Sequence, residues 1–299
     1  MTLADGRTAV VKLAPPPTTG LAHERELLRT EAFALRALGR ADAPQPSLLA
    51  EFEIDGREAI VVTDLVGVQG VNGVAADEIG RVLAALHGAG ASPEAMRVGA
   101  DASARSATGA GSGMGAAFGY PFRDELQAAS AREAYVVLVD AVLDDARRYG
   151  VVMPLDPGLL RRRLVAASVA FDEVTQPTLV HFDLWDGNLL VDDERITGVI
   201  DHERAMWADP TADLASRALF RPVPEAIDED AAFRTAYLGV AGREPLPDAS
   251  AHTRARLWAA YLALIMTVEA VPRGYAGEWF AEHDARVRGW LVETVDALD

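Results

Sequence analysis

The 299-residue chain contains no cysteine, which excludes disulfides, thiolate metal sites and cysteine nucleophiles. It has no apolar run approaching the roughly eighteen residues of a membrane span. The start, Met1-Thr2-Leu3-Ala4-Asp5-Gly6, lacks the pattern of a secretion signal. Together these point to a cytoplasmic protein. Basic charge is scarce: 28 Lys and Arg stand against 45 Asp and Glu, a formal net charge of −17, with a pI near 4.7. Such a surface repels phosphate backbones and argues against nucleic-acid binding. It would steer a cationic small molecule inward, although solubility alone accounts for the acidity equally well. No internal repeat is visible. What the chain does have is a 50% hydrophobic composition, enough for a large core in one long domain or two lobes.

The most informative stretch runs from Val180 to Leu214, VHFDLWDGNLLVDDERITGVIDHERAMWADPTADL. Residues 181–186, followed by Asp186-Gly187, read as a loop. Two short apolar runs, Leu189–Val191 and Thr197–Ile200, flank the polar Asp192-Asp193-Glu194-Arg195 and predict a β-hairpin. A hairpin brings its ends together, so Asn188 and Asp201 should lie side by side with Asp183 nearby. Oxygen ligands converging in this way suit a hard ion such as Mg²⁺.

The spacing His181-x-Asp183-x-x-x-x-Asn188, followed by Val199-Ile200-Asp201, resembles the aminoglycoside phosphotransferase-like family of small-molecule kinases, which includes choline and fructosamine kinases. Asp183-Leu184-Trp185-Asp186-Gly187-Asn188 looks like the fructosamine kinase loop. Ala208-Asp209-Pro210-Thr211-Ala212-Asp213-Leu214-Ala215 is similar to the family's G-D-P-x-x-D-L-A tail. The resemblance implies an α+β, bilobal, protein-kinase-like fold: a small antiparallel β N-lobe over residues 1–66 and a larger, mostly helical C-lobe over 67–299. It implies ATP and Mg²⁺ as cofactors and a small-molecule hydroxyl as phosphoryl acceptor, on an aminoglycoside, another antibiotic, an amino sugar or a ketosamine. Asp183 would be the catalytic base, with His181 supporting the loop beside it. Asn188 and Asp201 would bind the metal, Lys12 would steady the phosphates with Glu31 as its partner, and the backbone of Asp64 and Leu65 would meet the adenine.

Upstream, Leu3–Leu13 reads as a hairpin around Asp5-Gly6, with Lys12 in its second strand. Pro15-Pro16-Pro17 ends that strand. A helix is predicted from about Leu21 to Leu38, with Leu27, Leu28, Glu31, Leu35 and Leu38 near one face. Leu48–Ile54, the turn Asp55-Gly56 and Ala59–Thr63 predict a second hairpin. Family members carry a further strand and a phosphate-covering Gly-rich loop ahead of the lysine, and Lys12 comes too early for both. The expected N-lobe therefore lacks its first strand and that loop. This leaves a catalytically impaired kinase-fold binding protein as the alternative. A third possibility is a metal-dependent hydrolase built on His181, Asp183, Asp201 and His202.

The Gly-, Ala- and Ser-rich stretch from about Gly99 to Gly119 follows no strand, so it reads as an insertion rather than a phosphate loop. Helices are expected at Ala75–Ala89, Phe122–Tyr149, Pro157–Phe171, Thr211–Leu219, Pro224–Leu238, Ala249–Val271 and Trp279–Ala297. His87, with Gly88 following, reads as a helix-end cap. Glu203 is expected to pair with Arg204. Asp209 and Asp213 read as structural, Trp185 as packing or bordering the acceptor. Glu269, Glu278, Glu282 and Asp284 are available to a polycation.

Overall fold

A computed structural model describes residues 1–3, 5–15, 20–70, 73–106 and 117–298. The stretch Ala107–Gly115, Pro16 and Pro17 lie outside them. Strand β1 (Ala9–Leu13) is followed by helix α1 (Leu27–Ala37), then by the hairpin of β2 (Leu48–Ile54) and β3 (Arg57–Thr63). The three strands form an antiparallel sheet in the order β1-β3-β2, with Lys12 opposite Ile60. Asp55 and Gly56 both adopt positive φ, 49° and 74°, as a tight two-residue hairpin turn requires. Ahead of β1 the expected hairpin forms as a short antiparallel pairing: Thr2 lies opposite Thr8, the Leu3 N–H donates to the Arg7 carbonyl (2.8 Å) and the Ala9 N–H to the Met1 carbonyl (2.8 Å).

Helix α1 begins six residues later than its apolar spacing suggests. Residues 20–25 are instead pinned to distant parts of the chain. Tyr149 Oη donates to the Gly20 carbonyl (2.6 Å), the Ala22 N–H donates to Asp145 (2.6 Å), and Arg123 donates to the Ala22 carbonyl. Only after Glu26, in the left-handed region at φ 65°, does the chain turn helical. Once formed, α1 packs on two fronts. Leu28, Ala32 and Leu35 meet Ile60 and Val62 of the sheet. Phe33, Ala34, Ala37 and Leu38 join the large core of the helical lobe, where Phe33 lies edge-on to Phe122.

The rest of the chain gives β4 (Val68–Gln69), α2 (Ala76–Gly90), α3 (Pro93–Ser106), β5 (Phe118–Gly119), β6 (Gln127–Ala128), α4 (Ala131–Tyr149), α5 (Pro157–Ala167) and β7 (Thr178–Val180). These are followed by β8 (Leu189–Asp192), β9 (Arg195–Val199), β10 (Met206–Ala208), α6 (Ala212–Arg217), α7 (Val223–Asp228), α8 (Ala231–Ala241), α9 (Ala249–Glu269) and α10 (Glu278–Asp296). Two small sheets, β6-β5-β10-β7 and β4-β8-β9, carry the loops of interest. Gly90 allows α2 to lie against the backbone of Leu179 in β7; any Cβ there would collide with it.

Several expected helices are divided by capping residues. Ser130 accepts the Glu133 N–H and opens α4, so residues 122–128 form a turn and a short strand instead of a first helical half. Asp230 accepts the Phe233 N–H and separates α7 from α8. After α5 the chain tightens into a 3-10 turn over Ser168–Glu173. Apolar periodicity passes through such points, whereas a Ser or Asp side chain that captures an amide restarts the helix. Conversely, α3 extends to Ser106, into the stretch read as an insertion.

His23, in the pinned segment, is buried and stacked on Tyr120 (ring centroids 5.3 Å apart). Burial and the cations of Arg204, Arg273 and Arg123 push its pKa from 6.5 down to about 3. Below pH 6.5 the unfolded chain takes up a proton that the folded chain refuses, so stability falls as pH drops from 6.5 towards 3. This single group should cost about 2 kcal/mol between pH 7 and pH 5. Urea titrations at the two values should show that loss, and His23→Phe should remove most of it.

Candidate active site

The loop from His181 to Asn188 joins β7 to β8 and is held from below by Asp213 of α6. The Asp213 carboxylate accepts the N–H groups of His181 (3.2 Å) and Phe182 (2.5 Å) and lies 3.0 Å from Nε2 of His87. Tyr237 Oη sits 2.8 Å from His87 Nδ1, so His87 donates to Asp213 and accepts from the tyrosine. His87 is thus a buried link in the support of this loop rather than a helix cap. Ser216 Oγ accepts the Leu184 N–H (2.9 Å). Phe182 has φ 61°, a conformation disfavoured for a bulky residue. Its fully buried ring lies against Trp258 and Tyr261, and that packing holds it there.

His181 is committed on both ring nitrogens: Nδ1 accepts the Asp183 N–H (3.2 Å) and Nε2 donates to the Ile200 carbonyl (3.0 Å). The ring thereby ties the loop to the end of the β8–β9 hairpin. Asn188 Nδ2 donates to the Asp183 carbonyl (2.8 Å) and to Asp183 Oδ2 (3.2 Å), so both of its amide hydrogens are turned to Asp183. The β8–β9 hairpin turns at Asp193 and Glu194, φ 46° and 65°. It closes where the Ile200 N–H donates to the Asn188 carbonyl (3.0 Å), bringing Asp201 beside Asn188. Asp201 is also left-handed, at φ 61°. Leu65 packs over Gly198 of β9, and Thr197 Oγ1 donates to the Val66 carbonyl (2.5 Å). The segment with Asp64 and Leu65 therefore borders this same hairpin.

Lys12 reaches the hairpin from the sheet. Its Nζ lies 2.7 and 2.9 Å from the two oxygens of Glu31 and also contacts the Asp201 carboxylate. Burial opposes the charge on Lys12, but Glu31 and Asp201 outweigh it and raise its pKa. Glu31 is 1% exposed, and burial raises its pKa despite the facing ammonium. Lys12 is the only lysine in the chain; the other 27 of its 28 basic residues are arginine. A compact ammonium can sit between two carboxylates where a planar guanidinium does not fit the same way, and that singular choice is the compositional mark of the site.

Asn188 and Asp201 offer oxygen donors only, the chemistry a magnesium ion takes. Among the described residues no three His, Asp or Glu side chains gather as a metal site. His202 is buried, with its ring 4.6 Å from that of His181. A hydrolytic centre on His181 and His202 has no support.

Behind Asp183 lies a charged group of residues with little trace in the sequence. Arg204 is buried and pairs with Glu269 (2.8 Å), not with Glu203. Arg273 pairs with Glu24 and lies 3.4 Å from Glu269. Asp284 pairs with Arg288 (2.6 Å). Glu269 and Asp284 are thus already matched to cations. Glu203 makes no ion pair among the described residues, and burial raises its pKa although Lys12 and Arg204 counter it. Asp209 binds Arg254 and accepts the Thr211 N–H (3.1 Å). Trp185 is 40% exposed at the mouth of the loop.

The fold recurs in solved structures. The chain overlays a thermostable mutant of the aminoglycoside phosphotransferase APH(4)-Ia with a TM-score of 0.54 at 16% identity, covering 99% of this chain and 94% of that one. For a protein from Haemophilus somnus 129PT assigned as a fructosamine-3-kinase, the TM-score is 0.60 at 15% identity over 96% and 85%. For the macrolide 2'-phosphotransferase MphH of Brachybacterium faecium it is 0.53 at 24% identity over 97% and 86%. No curated protein matches the sequence. None of the described helices is long and apolar enough to cross a membrane. The family described as phosphotransferase enzymes matches residues 2–258, and with most of its length inside that match the chain belongs to the phosphotransferase enzyme family.

Proposed function

We propose that the protein is an ATP- and Mg²⁺-dependent kinase that transfers the γ-phosphoryl group to a hydroxyl of a small molecule. The observation that carries this reading is the meeting of Lys12, Glu31 and Asp201 beside the loop bearing Asp183 and Asn188. A lone ammonium held between carboxylates is a place for phosphate oxygens: when a nucleotide enters, Lys12 exchanges Asp201 for phosphate while Glu31 keeps it aimed. Related structures include the aminoglycoside phosphotransferase in a ternary complex with ADP and hygromycin B, which supports a nucleotide site in this fold.

In this reading residues 1–66 carry the nucleotide, with Asp64 and Leu65 facing the adenine, and residues 67–299 carry the acceptor. Mg²⁺ held by Asn188 and Asp201 would neutralise charge on the transferring phosphoryl group. Asp183 orients the acceptor hydroxyl and takes its proton as the new oxygen–phosphorus bond forms. The bond from the γ-phosphorus to the bridging oxygen breaks, and ADP leaves. Asn188 fixes Asp183 through its amide, and His181 fixes the backbone of the same residue. Most of the acceleration comes from this positioning and from charge placement.

Asp183→Ala should lower phosphoryl transfer by about 10²–10⁴-fold, the usual worth of a positioned base, while MgATP binding measured by calorimetry stays intact. Undiminished turnover would rule out the base. Lys12→Arg should raise the KM for ATP by roughly tenfold or more, because the guanidinium does not fit between Glu31 and Asp201. Wild-type KM in that variant would remove Lys12 from the nucleotide site. A protein that binds MgATP yet transfers phosphate to no acceptor, in a screen of amino sugars, glycosides and antibiotics, would be a binding protein instead.

A further inference from the structure

A second cavity-forming region shares no residue with the candidate active site. The last turn of α1, the residues leading into β2 and the turn where α2 gives way to α3 enclose a space of about 680 Å³. Sites for small molecules typically occupy about 300–1,000 Å³. None of Lys12, Glu31, Asp64, Leu65, Asp183, Asn188 and Asp201 lines this one.

Three arginines, Arg36, Arg40 and Arg97, stand in its wall against a single acid, Glu94. That reverses the balance of the whole chain, where 45 acids face 28 bases. The three cations are not equally committed. Arg36 pairs with both oxygens of Glu51, which stands outside the wall. Arg40 pairs with Glu94 (2.7 Å), but the two side chains are 84% and 38% exposed, and pairs so open to water contribute little. Arg97 is exposed and makes no ion pair among the described residues; its Nε donates to the Pro93 carbonyl of its own helix (3.3 Å). Even with Glu51 counted, one positive charge is in excess. Asp42, exposed on the turn after Arg40, is not part of the wall. Helix α3 starts at the same place, where Ser92 Oγ accepts the Ala95 N–H (3.1 Å), and a helix start adds partial positive charge.

We propose that this cavity binds a small polyanion, a molecule carrying two or more carboxylate or phosphate groups. Guanidinium groups hold both chemistries through paired N–H donors. The arginines belong to two separate parts of the wall, Arg36 and Arg40 to the end of α1 and Arg97 to α3, so more than one anionic group is needed to engage both. Arg97 is the anchor, since no acid holds it. Arg40 joins by exchanging Glu94 for the ligand. The site is independent of the phosphotransferase reading and stands whether or not that reading does.

The test is calorimetric titration of the full chain with citrate and, separately, with fructose 1,6-bisphosphate, in metal-free buffer at about 0.05 M salt to limit screening. At least one probe should bind with a Kd of about 1 mM or lower. The double variant Arg40→Ala, Arg97→Ala, which alters two exposed side chains and leaves the core alone, should weaken that binding roughly tenfold or more. Arg132→Ala, which removes an arginine outside the cavity wall, should leave it unchanged. Binding of citrate alone assigns the site to carboxylates and binding of the bisphosphate alone to phosphates, and either result upholds it. The proposal is overturned if the double variant binds as well as the wild type, or if Arg132→Ala loses as much affinity, which would make the effect one of general charge. It is equally overturned if neither probe binds up to about 10 mM, where the affinity is negligible.

Discussion

The Asp213 carboxylate gathers the His181 and Phe182 amides and the His87 ring at a point closed to water. Charge-assisted hydrogen bonds of this kind are about twice as strong as neutral ones, and burial removes the competing solvent. The bend at Phe182 is held from both sides, its N–H by Asp213 and its ring by Trp258 and Tyr261. From the bend, the backbone delivers Asp183 towards the cleft and Asn188 to the hairpin base. His87 and Tyr237 extend the same network into α2 and α8, so the chemistry at the surface is braced by helices far from it in sequence.

Electrostatics divides the site into two halves of different character. Around Lys12 the balance is deliberately incomplete: one ammonium faces two carboxylates, and Glu31 and Glu203 are both held by burial above the usual carboxylate range. Around Arg204 the ion pairs are direct: Arg204 pairs with Glu269 and Arg273 with Glu24.

Much of this was legible in the sequence, and the reasons it was, or was not, are physical. The His181-to-Asp201 segment could be read because loop and hairpin both depend on nearest neighbours: Asp193-Glu194 turns, and Asn188 meets Asp201 by strand pairing alone. The β2–β3 hairpin was readable for the same reason. The lead-in to α1 was not, because Tyr149, Asp145 and Arg123, more than a hundred residues away, capture the backbone of Gly20 and Ala22 before a helix can. The helix breaks at Ser130 and Asp230 were encoded locally but hidden by uninterrupted apolar spacing. The partners of Arg204 and Glu269 were unreadable in principle, since a neighbouring glutamate in sequence competes with a distant one only after folding. The uniqueness of Lys12 was plain in the composition.

Helix α1 packs one face on the sheet and the other in the helical core, and its lead-in is fastened to the helical side by hydrogen bonds and by Glu24. Mechanically it is therefore part of the floor rather than the lid. Leu28, Ala32 and Leu35 are its whole apolar seam with the three-stranded sheet, a far smaller contact than the one it makes with the helical core. The contact of Lys12 with Glu31 spans that seam. The Lys12–Glu31 ion pair is thus a polar bolt across an otherwise apolar seam, joining the strand that carries the lysine to a helix anchored in the other body of the fold.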